Sequence, residues 1–157
     1  MAKGTPATIA VQRLGLAHTL HEYTYDPNAE RVGLQAAEAL GEDPGRVLKT
    51  LMLLIDGKPA CAILPSDREL ALKKVAAAFG GKSAAMMPPA QAERLTGYVV
   101  GGISPFGQKK RVPVAIEAAA LEHDRVYLNG GRRGLQIRLS PRDAADALGA
   151  VASELVA

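Results

Sequence analysis

Residues Val47 to Ile55 read VLKTLMLLI, and after Asp56-Gly57 the chain continues through Ala60 to Leu64 as ACAIL. The first run is too continuously apolar for a strand with one wet face. It predicts a central strand covered on both faces. Asp56-Gly57 is a hairpin signal, so Ala60 to Leu64 returns beside the first strand. One residue breaks the pattern: Lys49 sits inside the apolar run. A lysine in a covered strand either snorkels at the strand end or serves a site, and the run itself leaves both readings open.

On either side of this hairpin, helix and strand signals mix without strict βαβ alternation. Before it, Ala7, Ala10, Val11 and Leu14 share a helical face that Gly15 closes. His18 to Tyr25 reads as a strand ended by Asp26-Pro27-Asn28, and Leu34 to Leu40 as a short helix ended by Gly41. After it, Leu72, Val75, Ala76 and Phe79 repeat at helical spacing up to Gly80-Gly81, and Pro88-Pro89 opens another helix. Val112 to Glu117, Arg125 to Leu128 and Leu135 to Leu139 read as strands. The last helix starts with Ser140 as N-cap, Pro141 first and Asp143 at the capping-box position, with Ala144, Ala147, Leu148 and Val151 as its buried stripe. The order predicts an α+β fold with a mixed, barrel-like sheet flanked by helices.

At 157 residues the chain fits a single domain over 1–157. A domain of this size buries roughly 70% of its unfolded surface and needs no staples. No repeat, low-complexity tract or linker interrupts it. With aromatics at 4%, rows of base-stacking rings are not its means of recognition. A single cysteine, Cys61, permits no intramolecular disulfide and favours a reducing compartment. With neither a signal-peptide pattern nor an apolar run of about 20 residues, the expected address is the cytoplasm, with no membrane partner. The net charge of +3 says less than its arrangement. Lys73-Lys74, Lys109-Lys110-Arg111 and Arg132-Arg133 are basic clusters that read either as a phosphate-binding surface or as solvated faces.

Several chemistries are disfavoured. His18, His21, His123 and Cys61 lack metal-ligand spacing, so no metal is expected. Cys61 lies in an apolar run and reads as an inert core thiol. No serine sits in a G-x-S-x-G elbow. Gly81-Lys82-Ser83 looks like the tail of a phosphate loop, but Ala76 stands where that loop needs glycine, and a helix precedes the segment. Besides Lys49, two features remain. Residues 97 to 105, GYVVGGISP, form a loop where backbone can approach a ligand, or a simple tight turn. Asn129-Gly130-Gly131-Arg132-Arg133-Gly134 is a hairpin loop with basic decoration, or a cradle for a phosphate or carboxyl group.

These features occur in the order seen in the YbaK/ProX-like aminoacyl-tRNA deacylases, which the chain resembles, closest to the YbaK branch of Cys-tRNA(Pro) deacylases. The stretches that carry the resemblance are Val47 to Leu51, Leu72 to Ala76, Thr96 to Pro105 with Gly107 to Arg111, and Gly130-Gly131 with Arg133-Gly134-Leu135. The resemblance implies hydrolytic clearance of Cys from tRNA(Pro) without a cofactor. It implies mischarged tRNA as substrate and prolyl-tRNA synthetase as partner. Lys49 and Thr50 match the catalytic-site lysine and its neighbour, and Tyr23 matches a pocket tyrosine. Gly101 and Pro105 match the ends of a G-x-x-x-P loop, which sets Gly102, Ile103 and Ser104 beside the substrate. Gly131 matches a substrate-loop glycine, and the clusters Lys73, Lys74, Lys109, Lys110, Arg111, Arg132 and Arg133 would hold the tRNA backbone.

Three pocket positions depart from the family pattern: Val32 replaces Phe, Asn129 replaces Ser and Gln136 replaces Asp. They bear on amino-acid preference. The family account is substrate-assisted: the cysteine thiol attacks its own carbonyl, while Lys49 and the N–H groups of Gly101 and Gly102 favour charge on the carbonyl oxygen. Two rivals stand beside it: a deacylase for Ala- or Ser-charged tRNA, and a non-catalytic tRNA- or synthetase-binding module on the same fold.

Overall fold

The computed structural model describes residues 4–28 and 34–157. The central hairpin is β2 (Leu48–Ile55) and β3 (Lys58–Pro65), paired antiparallel from Leu48↔Pro65 to Ile55↔Lys58. Asp56 and Gly57 both take positive φ, 49° and 81°, as a two-residue turn of this kind requires. Further strands extend this hairpin into a five-stranded sheet of order β4-β2-β3-β5-β8, with β4 (Ala84–Met86), β5 (Val114–Glu117) and β8 (Val151–Ser153). β5 runs parallel to both β3 and β8, while the other pairs are antiparallel, so the sheet is mixed. A second, three-stranded sheet has the order β1-β7-β6, from β1 (His18–Glu22), β6 (Val126–Asn129) and β7 (Leu135–Leu139). A parallel bridge, Val47↔Tyr127, joins the two sheets at the start of β2. Among the described strands the two sheets do not close into a barrel.

Helices α1 (Pro6–Arg13), α2 (Gln35–Leu40), α3 (Leu72–Ala78), α4 (Pro89–Thr96) and α5 (Pro141–Leu148) pack around these sheets. The alternation of side chains along a strand sends the large sheet into two cores. Leu48, Met52, Cys61 and Ile63 join Val11, Phe106, Leu128 and Ile137 between the sheets. Leu53, Ala60 and Ala62 pack with Val75, Ala115 and Leu155 on the other face.

The apolar run was expected to be covered on both faces throughout. That holds for β3, where Ala60 to Leu64 are at most 2% exposed. In β2, Leu48, Met52, Leu53 and Ile55 are buried, while Lys49, Thr50, Leu51 and Leu54 are half-buried. β4 pairs with β2 only at Leu53, Leu54 and Ile55.

The last helix also ends earlier than its apolar stripe suggested. Gly149 takes the left-handed conformation at φ 63°, so Val151 lies in β8 and is 48% exposed. Leu14, placed on the buried face of α1, caps that helix and is 51% exposed. The Ser140 cap forms as expected, its hydroxyl accepting from the Asp143 N–H at 3.2 Å. Among the described residues no helix is long and apolar enough to cross a membrane.

One buried carboxylate, Glu117, gathers backbone donors of the C-terminal segment. Glu117 Oε1 accepts the N–H groups of Leu155 at 2.8 Å and Val156 at 3.3 Å, and Oε2 accepts that of Ala119 at 3.0 Å. Glu117→Ala leaves these donors without an acceptor, a loss of about 3 kcal/mol and a fall in Tm of roughly 5–10 °C. A midpoint within about 1 °C of the parent in a thermal melt would contradict this role.

Candidate functional site

Because β4 stops short, Lys49 to Leu51 present an edge with no strand paired to it. Met52 C=O points away from β3, since it accepts the Met87 N–H at 3.1 Å. Thr50, two residues earlier, aims its backbone groups in the same direction. A cavity of about 340 Å³ opens along this edge, within the range of small-ligand sites. It is bordered by β2, by Asn129 and Gln136 of the small sheet, by Tyr23 and Tyr25 after β1, and by Val100, Gly101 and Ile103 of the glycine loop. Met86, Met87, Pro89 and Ala92 close the remaining side. Lys49 and Thr50 leave opposite faces of β2 yet both border the cavity, because it follows the strand's edge.

The polar groups of this cavity have distinctive surroundings. Burial pulls the Lys49 ammonium below the ordinary lysine pKa, while Glu69 and Asp67 push back. Burial raises the Tyr23 phenol, and the Gln136 side chain and Gly134 backbone oppose that. Asn129 and Gln136 face each other directly across β6 and β7. Asn129 Nδ2 donates to the Gly101 carbonyl at 3.1 Å, which ties the small sheet to the glycine loop. Two buried atoms, Thr50 Oγ1 and Gln136 Oε1, have no hydrogen-bond partner among the described residues. A buried polar group left unpaired is costly, and each of these oxygens can accept a hydrogen bond from a donor that enters the cavity.

Of the expected site residues, the cavity brings together Lys49, Thr50, Tyr23, Gly101, Ile103, Asn129 and Gln136. Val32 lies outside the described residues. Gly102, Ser104, Pro105 and Gly131 shape the loops and do not line the cavity. The Gly102 N–H is engaged with the Val99 carbonyl at 2.8 Å, so it is not free to meet a carbonyl oxygen. Ser104 is fully buried, its hydroxyl accepting the Phe106 N–H at 3.2 Å. Pro105 is buried beside it. The Gly131 N–H donates to Asn129 Oδ1 at 2.7 Å.

Sequence reasoning missed Tyr25, Val100 and the methionines Met52, Met86 and Met87. An aromatic two residues after Tyr23, and a Met-Met pair just before Pro88-Pro89, were the available signals.

The basic clusters divide. Lys74 pairs with Glu154 and the Val156 carbonyl, and Arg132 pairs with Glu22 at 2.9 Å. Arg133 donates from Nε to the Val100 carbonyl at 3.0 Å, and its guanidinium lies 5.2 Å from the centre of the Tyr25 ring, at the cavity mouth. Lys109 and Lys110 border a shallow groove with Gln91, Arg94 and Leu95. Lys73 and Arg111 are exposed.

Other sequence candidates resolve as structure. The N–H groups of Lys82 and Ser83 hold the Asp56 carboxylate, so Gly81-Lys82-Ser83 carries no phosphate. Among the described residues, no group of three His, Cys, Asp or Glu side chains is placed to hold a metal ion.

Residues 26–147 match the family model described as the aminoacyl-tRNA editing domain. An Enterococcus faecalis protein named as a candidate Cys-tRNA(Pro)/Cys-tRNA(Cys) deacylase, EbsC, is 36% identical over 122 residues, 76% of this chain and 74% of the relative. The proline–tRNA ligase of Maridesulfovibrio salexigens is 35% identical over 75 residues, 48% of this chain and 13% of the ligase. A solved structure described as a candidate trans-editing enzyme for prolyl-tRNA synthetase shares the fold at TM-score 0.83 and 23% identity, covering 97% of this chain and 95% of that one.

Cys61 is fully buried, and burial pushes its thiol up to about 12, so it holds no thiolate at neutral pH. Iodoacetamide should leave Cys61 unmodified in the folded protein and alkylate it in denaturant, as read by intact mass. Rapid alkylation under native conditions would overturn the assignment of an inert thiol.

Proposed function

The chain belongs to the aminoacyl-tRNA editing-domain family, and on that footing we propose that it is a deacylase clearing Cys wrongly attached to tRNA(Pro). The observation that carries this is the cavity itself, whose lining includes a half-buried lysine and the orphaned Thr50 Oγ1 and Gln136 Oε1. An aminoacyl ester brings an α-ammonium, a carbonyl and a side chain, which match an acceptor, a cation and an apolar wall. Met52, Met86 and Met87 supply a soft, adaptable wall suited to a small thiol side chain.

The reaction is cleavage of the ester to the terminal ribose. No His, Asp, Glu or Cys is among the described residues lining the cavity, and Ser66 donates its hydroxyl to the Pro44 carbonyl at 3.0 Å. A nucleophile supplied by the substrate fits this lining. The cysteinyl sulfur attacks its own carbonyl carbon, forming an S–C bond. The ester C–O bond breaks, and the thiol proton ends on the ribose hydroxyl. The amino acid leaves as a cyclic thiolactone that water then opens. Lys49 stabilises the negative charge that develops on the carbonyl oxygen. Tyr23, Thr50, Gln136 and Asn129 orient the aminoacyl group, with Gly101 and Ile103 as the facing wall.

Lys73, Lys109, Lys110, Arg111 and Arg133 contact tRNA phosphates. Lys74 and Arg132 reach the same phosphates once these exchange with their exposed carboxylate partners, pairs that hold only weakly in water. The domain, 1–157, works in the cytoplasm alongside prolyl-tRNA synthetase, a link supported by its likeness to part of proline–tRNA ligases.

A panel of mischarged tRNAs tests the reading. Cys-tRNA(Pro) should be cleaved far faster than Ala- or Ser-tRNA(Pro), because a thiol is a few per cent thiolate at neutral pH and a serine hydroxyl is not. Lys49→Ala should lose about 10²–10³ in rate with little change in Tm. Equal rates on Cys and Ala esters would favour a general deacylase. Binding of tRNA without cleavage of any ester would favour a non-catalytic module.

A further inference from the structure

Helix α1 precedes the residues matched by the editing-domain model, which begin at residue 26, yet its first turn touches the loop that follows Asn129 at the cavity's edge. Thr5 caps the helix. Its hydroxyl accepts the Thr8 N–H at 3.1 Å and donates its proton to the carbonyl of Gly130. Gly131 packs so closely that an added Cβ would lie 3.1 Å from Thr5 Cβ and 3.0 Å from the Tyr98 ring, and its φ is +96°. On the other side, a Cβ at Gly107 would meet the Pro6 carbonyl oxygen at 2.5 Å. The N-terminus of α1 therefore packs closely against both the loop after β6 and Gly107, just beyond the glycine loop.

We propose that Thr5 is a positioning residue for the deacylation site, acting through Gly130, Gly131 and Asn129 on Gly101; this rests on the function proposed above. The peptide group carries the signal. In a planar trans peptide the C=O and the following N–H point in opposite directions. With the Gly130 carbonyl fixed on Thr5, the Gly131 N–H is aimed the other way, at Asn129 Oδ1, 2.7 Å off. That bond requires the Asn129 oxygen on that side, which turns Nδ2 towards the Gly101 carbonyl at 3.1 Å. The next peptide repeats the logic. The Gly101 carbonyl is held by Asn129 while the Gly102 N–H points oppositely to Val99 at 2.8 Å. Gly101 and Asn129 both border the cavity, so a hydroxyl on α1 sets the orientation of its wall.

A helix cap alone would also explain a threonine here, and the capping box provides the control. Thr8 Oγ1 accepts the Thr5 N–H at 2.9 Å and lies 3.3 Å from Thr5 Oγ1, but it has no hydrogen bond to either loop, so Thr8→Ala weakens the same cap and keeps the Thr5 bond to the Gly130 carbonyl. Thr5→Val should slow single-turnover deacylation of Cys-tRNA(Pro) at saturating enzyme by about 10- to 100-fold. Thr8→Ala should stay within about twofold of wild type, and Thr5→Ser should restore the rate. In an Asn129→Ala background, Thr5→Val should cost nothing further, because the relay is already cut. Amide NMR without tRNA reads the same chain. Thr5→Val should shift the Gly131, Gly101 and Gly102 resonances, and Thr8→Ala should not. Equal slowing in Thr5→Val and Thr8→Ala, or full additivity with Asn129→Ala, would reduce Thr5 to a cap. If the wild-type protein cleaves no ester, the proposed function fails, and the NMR comparison alone decides the relay: unshifted glycine amides in Thr5→Val would overturn it.

Discussion

The overlap of β4 with β2 extends only over Leu53, Leu54 and Ile55, and the rest of the site depends on that shortness. Had β4 run the length of its neighbour, Leu48 to Met52 would have formed an ordinary interior strand. Instead the edge at Lys49 to Leu51 has no strand partner, and the chain fills the space beside it with loops, with the ends of β6 and β7 and with the segment after β1. Backbone polar groups along such an edge require partners. A substrate that carries both donors and acceptors is the kind of ligand such an edge can satisfy.

The same edge explains how a lysine persists in an apolar run. Lys49 faces the side of the sheet where Asp67 and Glu69 lie, and burial lowers its pKa while those carboxylates oppose the shift. A cation in that state is incompletely neutralised and partly dehydrated. It interacts strongly with charge that develops nearby, more so than a lysine in open water. The loops that face it are rigid for separate reasons. Ser104 is buried within its own turn, Tyr98 bonds the Phe106 carbonyl at 2.6 Å, and Asn129 bridges the two loops. Preorganisation of this kind lets a site act by orientation and electrostatics without a nucleophile of its own.

Much of this was legible in the sequence because the main elements carry strong local signals. The hairpin at Asp56-Gly57, the Ser140 cap and the lysine in VLKTLMLLI are each local patterns with a physical cause. What was not legible depends on partners far along the chain. β4 and β8 are three residues each and have no periodicity to detect. Lys74 and Arg132 look like free cations until folding brings Glu154 and Glu22 to them. Ser104 and Pro105 lie in one of the stretches that carry the resemblance, yet they are buried within their loop and do not line the cavity. The orphaned atoms of Thr50 and Gln136 exist only in three dimensions, since a threonine in a strand is ordinary by sequence.

The central claim is that the aminoacyl end of tRNA occupies the cavity along the free edge of β2. A crystal structure with an uncleavable, amide-linked cysteinyl-adenosine tests it most directly. The account predicts the cysteinyl group in the cavity, its carbonyl oxygen towards Lys49, and hydrogen bonds that satisfy Thr50 Oγ1 and Gln136 Oε1. An analogue bound elsewhere on the surface, or one that leaves both atoms unpartnered, would contradict it.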